Sequence, residues 1–203
     1  MKRILVLAVL ALALPMAAFA TSSIDYSNSG GTLTASTTGS LTLSGSDLSQ
    51  IRGFPGGVTC ASGCGSITFT TGALLTGSLA MGGTFADGGS ITITGSGVNG
   101  AGSGVLFTGT FSGLKWTLIP GGVNGTNSYT LSGSVTGTTA SGFKVTSGTE
   151  FQLTLNTGKG FFDGAVDVGS GDTIVVVPEP GSLGLLGTGL IGLAGVVRRK
   201  LKA

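Results

Sequence analysis

The sequence predicts an all-β protein whose antiparallel strands pack as a β-sandwich or a jelly-roll-like domain. Short runs alternate apolar residues with Thr or Ser, and this period of two is typical of strands that bury one face. Glycine accounts for 40 of the 203 residues, and glycine breaks up strands and disfavours helices. Because the body of the chain has no amphipathic helical pattern, two sheets packed face to face are the expected way to bury the apolar faces.

The strand pattern recurs along the body, with Gly-Gly, Asn-Gly and Ser-Gly turns between the runs. Asn124 and Gly125 suit a tight hairpin turn, since both tolerate positive φ. A β-solenoid is the rival fold, but it requires a fixed repeat period and the chain has only loose self-similarity. The largest residues expected between the sheets are Phe69, Phe107, Trp116 and Phe151. The predicted strands span residues 41–44, 66–70, 90–94, 105–111, 114–119, 129–135, 150–155 and 173–177.

The first 20 residues have the three parts of a secretory signal peptide. Two basic residues precede an apolar run at 4–14, and small residues then mark a cleavage site. A retained membrane anchor is the weaker alternative, because this apolar run is too short to span a bilayer. Export is therefore predicted, with residues 21–177 forming one β-rich domain. The cleavage-site residues are Ala18, Ala20 and Thr21.

The carboxyl end combines three features in a fixed order. A rigid Pro-Glu-Pro is followed by an uncharged span at 181–197, near the short limit for a single transmembrane helix. Small residues recur at every fourth position of this span, which lets another helix approach closely in lipid. Basic residues end the chain and are expected on the cytoplasmic side. The three sets are Pro178, Glu179 and Pro180; Gly184, Thr188 and Gly192; and Arg198, Arg199, Lys200 and Lys202.

This order of features over residues 178–203 resembles the PEP-CTERM sorting signal of Gram-negative bacteria. The resemblance implies recognition by an exosortase, an integral-membrane protease or transpeptidase, with cleavage near the Pro-Glu-Pro. The signal peptide predicts signal peptidase and the export machinery as partners, and the uncharged span predicts a single-pass inner-membrane intermediate. The product would then be either released or attached. Its location would be the periplasm, the outer cell surface or the extracellular matrix. Related tails also occur on some ice-binding proteins.

Cysteine usage and charge narrow the possible partners. Cys60 and Cys64 are the two cysteines of the chain and would close a small disulfide loop in an oxidising compartment. No metal site or cofactor is predicted, because the chain has no histidine and no second cysteine pair. Residues 21–177 carry four basic and seven acidic residues, a net charge of −3. Nucleic-acid binding is not predicted, since no basic stripe remains.

Acidic residues are the remaining candidates for chemistry. Asp163, Asp167 and Asp172 could meet Glu150 as a hydrolytic acid pair or a calcium site. Acidic residues in glycine-rich loops also hold turns, however, and this spacing matches no calcium-binding loop. Because the chain also lacks histidine, the usual proton carrier near neutral pH, it is predicted not to be an enzyme.

Threonines at positions i and i+2 present pairs of hydroxyls on one strand face, as some ice-binding surfaces do. Strand twist is expected to scatter such pairs across a sandwich. The pairs are Thr32/Thr34, Thr68/Thr70, Thr92/Thr94 and Thr108/Thr110.

Three hypotheses about function follow from the sequence. The leading hypothesis is a non-enzymatic cell-surface or biofilm-matrix protein that is sorted through its carboxyl end. The alternative is a binding module for extracellular polysaccharide or ice. The third is an acid-pair hydrolase, which requires Glu150 or one of the three aspartates to meet a partner carboxylate in a cleft.

Overall fold

The all-β prediction is confirmed by the computed structural model, which describes residues 22–53, 58–59, 63–121, 126–140, 142, 144–158 and 160–177. These residues contain twelve strands, one short 3-10 turn at Val98–Gly100 and no α-helix. The strands are β1 (Ser22–Ser29), β2 (Thr32–Ala35), β3 (Leu41–Arg52), β4 (Val58–Thr59), β5 (Gly65–Thr71), β6 (Leu74–Ser78), β7 (Gly82–Phe85), β8 (Gly88–Ser96), β9 (Ser103–Ile119), β10 (Asn127–Thr139), β11 (Lys144–Gly158) and β12 (Ala165–Val177).

Eight of the strands close into one antiparallel barrel, so the predicted sandwich or jelly roll is wrong. The order around the barrel is β10-β11-β12-β1-β3-β5-β8-β9, and β9 pairs again with β10 to complete the circle. A single sheet that coils and closes buries a one-sided apolar face as well as two packed sheets do. The period-two pattern is the same in both architectures, so it did not distinguish them.

The interior of the barrel is the hydrophobic core. Along β5 the burial alternates, with Ile67 and Phe69 inside and Thr68 outside. The predicted core is confirmed, since Phe69, Phe107, Trp116 and Phe151 are all at most 3% exposed. Three phenylalanines of the core make edge-to-face contacts with ring centroids 5.1 to 5.7 Å apart, an arrangement that adds to simple burial. They are Phe69, Phe111 and Phe151.

One hairpin lies outside the closed order of the barrel and is held by hydrogen bonds from two buried aromatic side chains. β6 and β7 pair with each other, and β7 lies beside the second half of β9. Trp116 donates its Nε1–H to the carbonyl of Leu79 at 2.8 Å, and the Tyr129 hydroxyl donates to the carbonyl of Ala80 at 2.7 Å. The two rings stack with centroids 4.8 Å apart. Two buried aromatic side chains thus hold the hairpin tip by their polar atoms, as buried Trp and Tyr require.

The predicted strand segments all lie within strands of the structure, but two of them belong to one element. The runs 105–111 and 114–119 are both parts of β9, which continues through Gly113 with φ +61°. The pairing of β9 with β10 shifts register opposite this point, between Ser132 and Ser134. β9 and β10 do form an antiparallel hairpin, although the predicted Asn124–Gly125 turn lies outside the described residues.

The first and last strands of the barrel are neighbours. β12 lies beside β1, and it also pairs with β2 through Ala165 opposite Thr34. The Val168 N–H donates to the carbonyl of Gly31 at 2.9 Å. Residues Ser23–Val176 form one compact unit, and the closing strand β12 ends at Val177.

Several predictions fall on residues that the structure does not describe. They are the signal-cleavage residues, the Pro-Glu-Pro, the small face, the basic end and Cys60, and they stay predictions. In the described part of the chain, no helix has the length and apolar character needed to span a membrane. The predicted transmembrane helix lies in 178–203, outside that part.

Candidate functional site

A cleft of about 350 Å³ lies on the outer face of the barrel, where β3, β1, β12 and β11 run side by side. Two rows of side chains line it, and the strand register fixes both rows. In the first row Arg52 lies opposite Asp25, and Ile174 lies opposite Glu150. The second row lies two residues farther along each strand. In it Gln50 lies opposite Ser27, and Asp172 lies opposite Gln152.

Period-two alternation explains why the cleft is polar. Tyr26 and Phe151 sit between cleft residues in sequence, yet their side chains point into the core and are buried. Their neighbours in sequence must therefore face outward. The carboxylates of Asp25, Glu150 and Asp172 thus share one surface with the guanidinium of Arg52.

Asp25 has a perturbed carboxyl group. Burial raises the pKa of its carboxyl above the ordinary value, the negative charge of Asp172 raises it further, and Arg52 partly opposes both. Its Oδ1 atom is buried and has no hydrogen-bond partner, although the side chain as a whole is partly exposed. A buried acceptor without a donor is unfavourable, which agrees with burial as the main cause of the raised pKa of Asp25.

The structure brings together two of the four acids that the sequence singled out. Glu150 and Asp172 line the same cleft. Asp163 lies exposed in the loop before β12, and Asp167 accepts a hydrogen bond from Thr32 at 3.2 Å instead. No three His, Cys, Asp or Glu side chains of the described residues lie close enough together to hold a metal ion.

Sequence reasoning missed Asp25 and the polar residues of β1 and β3. β1 reads Ser-Ser-Ile-Asp-Tyr-Ser-Asn-Ser and has too few apolar residues to be recognised as a strand. Asp25 also meets Asp172 only because the first and last strands of the barrel are adjacent. Ile24 and Tyr26 flank Asp25, and this alternation was the one signal in the sequence that could have identified Asp25 as an outward-facing strand residue.

Threonine and serine hydroxyls form a second polar surface, the hydroxyl face, on the outside of β3, β5, β8, β9 and β10. One row runs straight across four strands through cross-strand partners, and a second row flanks it. Threonines in the second row hydrogen-bond across strands at 3.2 and 3.3 Å. The first row is Thr68, Thr92, Thr108 and Thr138; the second is Thr42, Thr70, Ser90, Thr110 and Thr136.

The scattering was expected for a sandwich, and the barrel instead aligns Thr68/Thr70, Thr108/Thr110 and Thr92 in the two rows. Thr32 and Thr34 lie on β2, outside the hydroxyl face. The rows do curve, however, because neighbouring strands of an eight-stranded barrel are rotated from each other by about 45° around the barrel axis. A depression of about 410 Å³ lies on this face between Thr108 and Thr138. Gly137 lines it, and a Cβ at this glycine would meet the Thr108 carbonyl oxygen at 2.1 Å. This glycine is thus required for the close approach of β9 and β10.

The cysteines are only partly described. Cys64 is buried and disulfide-bonded, and no described cysteine is free. Its predicted partner, Cys60, lies outside the described residues. A disulfide fits the exported location that the amino-terminal segment predicts.

Comparison with known proteins bears on the carboxyl end. A family model described as the PEP-CTERM protein-sorting motif matches residues 176–200. The chain carries a PEP-CTERM sorting signal. The signal implies an exosortase as processing partner and export by membrane-associated sorting. No curated protein and no solved structure matches the chain.

The PEP-CTERM match begins at position 176, within the last two residues of β12. The barrel and the sorting signal are therefore consecutive in sequence, with no further strand or linker between them. Cleavage at the Pro-Glu-Pro would leave every described strand in the product.

The perturbation of Asp25 gives a testable effect on stability. Its raised pKa means that the folded state holds the proton more tightly than the unfolded chain, so ionisation at neutral pH destabilises the fold. We expect Asp25→Asn to raise the Tm at pH 7. The gain should shrink as the pH falls through the folded-state pKa and vanish below the ordinary value of 3.8, where both states are neutral.

Thermal unfolding of both proteins across this pH range measures the effect. Asp163→Asn, which removes an exposed carboxylate outside the cleft, is the matched control and should leave the Tm nearly unchanged. A Tm at pH 7 that is equal to or lower than that of the wild type would contradict the perturbation of Asp25.

Proposed function

We propose that the chain is a non-enzymatic protein of the cell surface or extracellular matrix, delivered by its PEP-CTERM signal and cleaved near Pro178. The observation that supports this proposal is the end of β12 at Val177, directly before the Pro-Glu-Pro. Removal of the signal would release a closed barrel with a filled apolar core. The absence of histidine from the whole sequence is consistent with a role that needs no proton transfer near neutral pH.

Substitutions in the motif test the sorting step. Pro178→Ala and Glu179→Gln are expected to leave a larger precursor in the membrane fraction, because we expect the protease to recognise the Pro-Glu-Pro. Immunoblots of membrane and medium fractions from an exosortase-containing host measure the effect. Pro120→Ala and Glu150→Gln provide matched controls outside the signal and should be processed normally. Normal processing of both motif variants would refute the proposal.

Polysaccharide binding is the second candidate function. The in-register hydroxyl face supports it, since rows of hydroxyls spaced by the strand separation can hydrogen-bond a hydroxylated polymer. Its curvature favours a flexible glycan over ice, whose surface is flat and rigid. Thermal hysteresis in a solution of the protein would favour ice instead.

A further inference from the structure

The closing strand β12 stays in the core almost as far as the sorting signal. Val175 is 0% exposed, and its side chain belongs to the hydrophobic core of the barrel. Ile174, the residue before it, lies opposite Glu150 of β11, and β1 lies along the other side of β12. The end of β12 is therefore held both by neighbouring strands and by a buried side chain.

The tether between this buried residue and the cleavage motif is short. Val176 and Val177 are the two residues that separate Val175 from Pro178. The α-carbons of Val175 and Pro178 are at most about 10 Å apart, because each residue of an extended chain adds about 3.3–3.6 Å. The PEP-CTERM match itself begins at residue 176. An enzyme that cuts near Pro178 must therefore work within about 10 Å of a core residue of the barrel.

Pairing in the barrel and binding to a protease compete for the same backbone groups. An enzyme that cuts a peptide bond holds the chain on both sides of that bond, and an extended peptide is held largely through its main-chain N–H and C=O groups. A residue between two paired strands has already used these groups. Ile174, four positions before Pro178, is paired in this way. The chain upstream of the motif becomes available only when the end of β12 separates from its neighbours.

We propose that processing requires local opening of the end of β12, so that the stability of residues 174–177 sets the rate at which the sorting signal is removed. The proposal rests on cleavage near Pro178, as proposed above, and adds the step that limits it. In the open form Val175 leaves the core, and the loss of its burial keeps this form a minor one. Strand ends open more readily than whole domains unfold, so the rest of the barrel stays closed.

A spacer inserted before the motif tests the proposal. In the full-length chain, Gly-Ser-Gly-Ser-Gly-Ser is inserted between Val177 and Pro178, which leaves the sorting signal from Pro178 onward unchanged. The spacer supplies flexible upstream chain while β12 stays paired, so we expect the precursor to be converted about ten-fold faster. Pulse-labelling in an exosortase-containing host, with immunoprecipitation of precursor and product over time, measures the rate. The same spacer inserted after Gly142, an exposed turn residue between β10 and β11, is the matched control and should leave the rate unchanged.

Two threonine substitutions separate local opening from unfolding of the whole barrel. Val175→Thr places a hydroxyl in the core at the end of β12, and Val168→Thr makes the same change at a buried position near the start of the strand. Both substitutions weaken the core, but Val175→Thr weakens the part that has to open. We expect Val175→Thr to speed conversion of the precursor about five-fold and Val168→Thr to leave it near the wild-type rate. The effect of Val175→Thr should disappear in the chain that carries the spacer before Pro178.

The possible outcomes are distinct. Conversion that the spacer before Pro178 leaves unchanged or slows overturns the proposal, and the sorting proposal then stands if the wild type is still converted. Equal acceleration by the two threonine variants also overturns it, since the whole barrel would then have to unfold. A wild-type chain that is not converted at all overturns both proposals. Far-ultraviolet circular dichroism establishes that each variant is folded, and the spacer test remains decisive if either threonine variant is not.

Discussion

Replacing Phe151 with alanine is expected to lower the free energy of unfolding by about 3–5 kcal/mol, the usual cost of removing a buried phenylalanine. Phe151 is 2% exposed and lies 5.1 Å, centroid to centroid, from both Phe69 and Phe111. The substitution removes its transfer free energy and leaves a cavity between two strands on opposite sides of the core. The barrel cannot collapse around the cavity without breaking ladder hydrogen bonds, so we expect the upper part of this range.

Guanidinium unfolding of the full-length chain, followed by Trp116 fluorescence, measures this loss. Trp116 is the single tryptophan, is 1% exposed and contacts a separate aromatic group, so its native signal should not change with the substitution. Thr154→Ala is the matched control, since Thr154 lies on the same strand as Phe151 but is exposed. A change of less than about 1 kcal/mol for Phe151→Ala would mean that this aromatic contact does not form.

The core was predictable from the sequence because it depends on alternation along single strands. Phe69 and Phe151 each stand between polar neighbours, and a strand with that pattern buries them whichever way the sheet closes. Closure itself depends on coiling and on which strands meet, and these are long-range properties. Gly137, whose missing side chain lets β9 and β10 approach, looks like any other glycine in the sequence.

The cleft was only half predictable for the same reason. Glu150 and Asp172 fall on consecutive strands of a hairpin, so their proximity could be expected from local pairing. Asp25 comes from β1 and reaches them only through the contact between the two terminal strands. The hydroxyl face likewise needed cross-strand register, which period-two alternation does not supply.

The largest effect is expected from a pair of truncations at the closing strand. A chain that stops after Gly164 lacks β12 and should not fold, whereas a chain that stops after Val177 lacks only the sorting segment and should fold. β12 pairs with β11 on one side and lies beside β1 and β2 on the other. Its removal exposes two strand edges and takes Val168 and Val175 out of the core.

Trp116 emission, far-ultraviolet circular dichroism and gel filtration of the two truncated proteins measure the outcome. We expect a blue-shifted emission and a cooperative thermal transition after Val177, but red-shifted emission and aggregation after Gly164. A cooperative transition in the shorter protein would show that β12 is dispensable. If β12 is instead required for folding, the barrel can close only after residue 177 has been synthesised. The Pro-Glu-Pro of the sorting signal follows that residue immediately. Processing at the Pro-Glu-Pro would then remove the delivery segment without disturbing the strand on which the whole fold depends.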